Sequence, residues 1–264
     1  MLLPVPPEDR ALFWWRTLCV LAIVNICLWL VVWWLVPIDD SYAAMQITLS
    51  GVYVLVCAYR SVLPRVDLER LILVDSRLSS IFLGRSAATV AEICFGIQLA
   101  LLVHQLAAHA GIPWIQSASW VIPVFMAVAQ VFCWHSVLTL NHITQAVESG
   151  LWAAGFTWMA ALLSVIALAT NGVVQMVAST GIAVSLVFVL YVVGVDIPMY
   201  VRRFRDGRSA GQQFLTIAHG ARDAIERRHA NQSWGKWRAD AAWLTPYFSA
   251  GVWFSISLAL VPAP

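Results

Sequence analysis

The sequence predicts an all-α integral membrane protein, a bundle of seven transmembrane helices with two interfacial amphipathic helices on the cytoplasmic side. Three observations predict it. Of 264 residues, 61% are hydrophobic and only 11% charged, whereas a soluble domain carries about a quarter charged residues. Seven mostly apolar stretches are long enough to cross about 30 Å of hydrocarbon, which takes roughly 20 helical residues. All 16 Lys and Arg are confined to three segments, the segregation expected of loops on one side of a bilayer.

The seven stretches run over 17–36, 43–62, 86–107, 119–140, 150–169, 174–200 and 243–261, forming a single membrane domain, 1–264. The first ends before Pro37 and the Asp39-Asp40 pair. It is too long for the apolar core of a cleavable leader and reads as a signal anchor. The break between the fourth and fifth is inferred from length, because His142 to Ser149 holds neither Pro nor Gly and an unbroken helix from Trp120 to Ala169 would overshoot a bilayer. Arg10 and Arg16 precede the first span, Arg60 to Arg85 lie between the second and third, and Arg202 to Arg238 between the sixth and seventh. The segments after the odd-numbered spans contain no Lys or Arg. This predicts a multi-pass protein of the plasma or inner membrane with a cytoplasmic amino terminus and an outside carboxyl terminus.

Two cytoplasmic stretches read as amphipathic helices. In 66–84 Leu68, Leu71, Leu78 and Phe82 recur at helical spacing, with Asp67, Arg70 and Arg77 opposite and Asp75 breaking the stripe. In 209–229 Phe214, Ala218, Ala221 and Ile225 alternate with Arg222, Asp223, Glu226 and Arg227, and His219 falls on the polar face. Arg202, Arg203, Arg205 and Arg208 set topology and meet anionic headgroups. Most of the 14 Trp fall at span ends, among them Trp14, Trp33, Trp34 and Trp237, where an amphipathic ring suits the headgroup level. Trp29, Trp152, Trp158 and Trp253 lie deeper and read as packing rings or cavity walls. The five cysteines sit inside spans at unrelated spacings and read as free thiols.

Ionisable groups inside a span are costly and usually functional. Glu92 lies about six residues, roughly 9 Å, into the third span from the inside. His135 is near the inner end of the fourth span and Asp196 near that of the sixth, and His142 and Glu148 flank the turn between spans four and five. Glu92, His135, Glu148, Asp196 and His142 therefore form the candidate catalytic set, with Gln98, Gln130, Asn141 and Gln145 as amide partners. Glu92 is the expected proton donor or acceptor and His135 its partner, acting on a lipophilic substrate near the cytoplasmic leaflet. A proton-linked carrier or channel using the same carboxylates is the first alternative. A non-catalytic scaffold subunit that binds lipid or pigment is the second.

No metal is expected, because HxxxH and ExxH spacings are absent, and His104 and His109 have no outer-side histidine opposite them to share a haem. The identity of any cofactor is not legible. Gly207, Gly211 and Gly220 form no phosphate-binding loop, so neither a nucleotide nor nucleic acid is an expected partner. The expected partners are membrane lipids and, in the scaffold reading, other membrane subunits. No Lys lies within a span, which excludes a retinal Schiff base. Ala87-Ala88-Thr89-Val90-Ala91-Glu92 and Pro246-Tyr247-Phe248-Ser249 are distinctive stretches that carry no recognised motif.

Overall fold

A computed structural model describes residues 10–36, 40–226 and 229–261. Pro37, Asp39 and Arg227, used above, lie outside the described residues. Among the described residues, six helices are long and apolar enough to cross a membrane: Arg10–Leu35, Ser41–Val62, Ile81–His109, Pro113–Thr139, His142–Ala169 and Gly172–Ser209. The chain is a multi-pass, predominantly helical membrane protein. The expected seventh span is not one of the six. Its stretch is helical but subdivided, as described below.

The described residues fold as two compact units, one built from those between 10 and 94 together with those between 221 and 261, the other from 95–220. In the first unit α1 (Arg10–Leu35) buries Ala11, Trp14, Leu18, Ala22, Asn25, Trp29 and Val32. The steps of three and four residues make a narrow seam, and the rest of its apolar surface is left for lipid. Helix α2 (Ser41–Val62) starts at Asp40, whose carboxylate accepts from the Tyr42 and Ala43 amides at 2.9 and 3.2 Å. Gly51 lets α1 come close, since a Cβ there would lie 2.6 Å from the Trp29 ring. Trp29 donates to the Ile47 carbonyl at 2.9 Å, so this deep ring packs between helices.

Residues 66–84 do not form the expected amphipathic helix. Strands β1 (Arg65–Val66) and β2 (Leu71–Ile72) pair antiparallel, and β3 (His229–Ala230) adds parallel to β2. Arg70 turns the hairpin with φ +54°. Leu71, Ile72 and Leu73 are consecutive and all buried, whereas Leu78 is 57% exposed. Consecutive burial suits a strand enclosed on both faces and does not suit a helix stripe. Arg70 itself is buried and ion-paired with Asp223 at 2.7 Å, a residue 153 positions away in sequence. The second expected amphipathic helix is shorter than 209–229: α9 covers Ile217–Glu226.

The carboxyl-terminal part of this unit comprises α10 (Trp234–Pro246), a π turn at Tyr247–Gly251, α11 (Val252–Ser257) and a closing 3₁₀ turn at Leu258–Leu260. The π turn follows Pro246, which has no amide hydrogen and so breaks the regular ladder. The Asn25 side chain meets the turn, donating from Nδ2 to the Phe248 carbonyl at 2.7 Å and accepting from Trp253 Nε1 at 2.9 Å. Asn25→Ala would leave both groups without a partner in an apolar surround and should cost about 1–3 kcal/mol, read as a lowered Tm in detergent. An unchanged Tm would show that the turn needs no partner. Trp14 and Trp237, expected at the headgroup level, are buried, and Trp237 donates to the Asn231 carbonyl at 2.6 Å.

The second unit contains residues 95–109 of α3 (Ile81–His109), then α4 (Pro113–Ser119), α5 (Val121–Thr139), α6 (His142–Ala169), α7 (Gly172–Tyr191) and α8 (Ile197–Ser209). The break between α5 and α6 needs neither Pro nor Gly. Leu140 adopts φ +58° and Asn141 caps α6 by accepting from the Ile143 amide at 3.1 Å. His142 and Glu148 therefore lie in the first two turns of α6, not in a loop. Gly155 permits close packing of α5 on α6, since a Cβ there would lie 2.9 Å from Met126 Cε. A second π turn, Val192–Asp196, links α7 to α8 just ahead of Pro198.

Candidate functional site

In the first unit α2 presents Tyr53, Cys57 and Arg60 along one stripe, at i, i+4 and i+7, and α3 presents Arg85 and Glu92 two turns apart. Glu92 is buried at 7% exposure. Its Oε2 accepts from Arg85 Nη2 at 2.7 Å, and its Oε1 accepts from the Tyr247 hydroxyl at 3.5 Å. The Tyr53 ring packs against that of Tyr247, with ring centroids 6.0 Å apart. The result is a pair of groups that can pass a proton, the half-buried Tyr247 phenol and the buried Glu92 carboxylate, with the buried Tyr53 phenol beside them and a guanidinium as counter-charge. The two distinctive stretches of the sequence meet here, Glu92 closing one and Tyr247 belonging to the other. Tyr247 opens the π turn, and such turns are frequent at functional positions because they re-aim one side chain out of helical register.

The other four candidate residues belong to the second unit. His135 Nδ1 lies 3.3 Å from Thr144 Oγ1 and 3.5 Å from Thr139 Oγ1. Both hydroxyls already donate to carbonyls, Thr144 to Asn141 at 2.9 Å and Thr139 to His135 itself at 2.6 Å. Their oxygens are therefore left to accept, which assigns the neutral ring a proton on Nδ1 and leaves Nε2 as the basic nitrogen. Glu148 is buried and accepts from the Gln145 amide. The next residue, Ser149, donates to Asp196 Oδ2 at 2.5 Å, and the His142 ring stacks on Tyr200 with centroids 6.3 Å apart. Asp196 closes the second π turn. The antiparallel approach of α6 to the start of α8 thus brings Ser149 to Asp196 and His142 to Tyr200.

Among the described residues no group of three His, Cys, Asp or Glu is arranged to hold a metal ion. His104 Nδ1 lies 3.1 Å from the Gln116 carbonyl and its ring 6.2 Å from Trp120, a packed arrangement within the second unit. Trp158 and Trp253, read as packing or cavity rings, donate to the Ala118 carbonyl and to Asn25 respectively.

Sequence reasoning did not single out Tyr53, Arg60, Arg85, Tyr247 or Ser149 as site residues. Arg85 carried a usable signal, standing seven residues before an in-span glutamate and so on its face of the helix. Tyr247 carried another, as the residue following a proline inside an apolar helical stretch. No protein-family model, curated protein or solved structure matches the chain.

Proposed function

We propose that the chain is a membrane-embedded enzyme that performs acid–base chemistry on a lipophilic substrate near the cytoplasmic leaflet. The observation that carries this reading is the buried Glu92 carboxylate held between the Arg85 guanidinium and the Tyr247 hydroxyl. A phenol bonded to a desolvated carboxylate relays a proton in one concerted move: the proton of a substrate hydroxyl passes to the Tyr247 oxygen as the Tyr247 proton passes to Glu92. Arg85 balances the carboxylate charge, and Tyr53 orients Tyr247. In the second unit His135 Nε2 is the proposed proton carrier, with Glu148, Asp196 and His142 as its polar surround.

The proposed topology supports the placement. Residues 234–260, helical throughout though interrupted at the π turn, form the seventh span, giving a cytoplasmic amino terminus and an outside carboxyl terminus by the distribution of Lys and Arg. Helix α9 lies in the cytoplasmic interface, with Ile217 and Ile225 at 59% and 50% exposure turned to lipid. The two units together make up one membrane domain.

The test is turnover in nanodiscs made from a total bacterial lipid extract, followed by untargeted mass spectrometry. The wild type should consume at least one lipid species. Glu92→Gln and Tyr247→Phe, both near-isosteric, should each lower the rate by about 10²–10⁴-fold while retaining the wild-type Tm. Consumption at the wild-type rate by both variants would overturn the reading.

A further inference from the structure

We infer that Arg60 binds the phosphate-type oxyanion at the polar end of a lipid ligand. Arg60 is in the last turn of α2, at 7% exposure, and its Nε is buried with no hydrogen-bond partner. Among the described residues it makes no hydrogen bond and no ion pair, and its guanidinium meets the Phe248 ring only distantly, at 6.0 Å to the centroid. The Phe248 ring it meets lies 5.4 Å from the Tyr247 ring, centroid to centroid, so Arg60 stands beside the proton-passing groups described above.

A second buried guanidinium follows five residues later in the chain. Arg65 is 2% exposed, stacks 4.7 Å over Tyr59, donates to the Ser80 carbonyl at 2.6 Å, and has a buried Nη2 with no partner. Burial pushes the Arg65 guanidinium below its ordinary value. Tyr59 opposes that shift and the neighbouring Arg60 adds to it. Neither the Arg70–Asp223 nor the Arg85–Glu92 ion pair involves Arg60 or Arg65. A buried guanidinium without an anion is expensive, whereas its planar fork matches two oxygens of a phosphate. The end of α2 in the proposed topology is also the depth at which lipid phosphates lie. A helix-end arginine that merely offsets the dipole would donate to the last carbonyls or reach into water. Arg60 makes no such bond and is almost wholly buried.

This inference rests on the enzyme reading only in naming which end of the substrate is held, and binding tests it without turnover. Protein in maltoside detergent is titrated with dodecyl phosphate or, as the neutral comparison, dodecanol, and the adduct is counted by native mass spectrometry. The wild type should take up one dodecyl phosphate in preference to dodecanol. Arg60→Gln should bind it about tenfold more weakly or worse, and the variant Arg238→Gln, at an exposed position, should bind it as the wild type does. Should Arg60→Gln fail to fold, Arg60→Lys keeps the charge and loses the fork, and is expected to bind less tightly than wild type.

Equal uptake of both probes by the wild type, or wild-type affinity in the Arg60 variants, would overturn the inference. Inorganic phosphate that displaces the adduct identifies a site also open to free phosphate, and failure to displace it identifies a lipid headgroup; either outcome keeps the phosphate site. Preferential phosphate uptake by a protein that turns over nothing removes the enzyme reading and leaves this site standing. Turnover with no preference for phosphate does the reverse.

Discussion

Arg85→Met should lower the stability of the protein by about 3–5 kcal/mol, seen as a large drop in Tm in maltoside detergent. The size follows from what remains. Glu92 is 7% exposed and sits in a helix long and apolar enough to span a membrane. Without the guanidinium 2.7 Å from its Oε2, the buried carboxylate loses its counter-charge, and the Tyr247 hydroxyl at 3.5 Å supplies no charge to replace it. Removing one member of a buried pair costs more than the pair ever contributed, because the desolvated partner stays behind. The double variant Arg85→Met with Glu92→Met should therefore recover most of the lost stability, as no buried charge is then stranded. A double variant as unstable as Arg85→Met alone would mean that the loss comes from packing of the arginine stem and not from the charge.

Asp223→Ala should have an effect of the same order, about 3–5 kcal/mol. Arg70 is 1% exposed, pairs with Asp223 at 2.7 Å, and donates from Nη1 to the Asp67 carbonyl at 2.7 Å inside its own turn. The ion pair ties the β1–β2 hairpin to α9, and the His229 amide, donating to the Arg70 carbonyl at 2.7 Å, adds a backbone tie at the same residue. Loss of the carboxylate removes the counter-charge from a buried guanidinium at a left-handed turn (φ +54°). Limited trypsin digestion reads it directly: cleavage within 65–85 should speed up severalfold in Asp223→Ala and stay near the wild-type rate in an exposed control such as Arg208→Gln. Equal cleavage of wild type and Asp223→Ala would show that the strands hold the hairpin without the pair.

These two pairs also mark where the sequence was legible. Glu92 stood out because an acid inside an apolar stretch has few reasons to be there. The long apolar helices were legible from hydropathy and length, and the start of α2 falls within two residues of its expected position because Asp40 caps it. The hairpin was not legible. Leu68, Leu71, Leu78 and Phe82 recur at helical spacing, and the residue that favours the other solution, Asp223, lies 153 positions further on. A tertiary ion pair and a third strand from the same distant segment override a local period. The break at Leu140 was hidden too, because a leucine in the left-handed region carries no compositional signal, although the Asn141 cap after it was open to reading. Tyr247 was passed over because tyrosine in a helix is ordinary; its role depends on the π turn that Pro246 introduces.

The central claim is that Glu92 and Tyr247 act as one proton-handling unit, and the measurement that tests it most directly is a double-variant cycle on lipid turnover. Groups that relay one proton lose their function together, so the Glu92→Gln, Tyr247→Phe double variant should be no slower than the worse single variant. Single variants whose losses multiply in the double variant, or a double variant that turns over lipid at the wild-type rate, would contradict it.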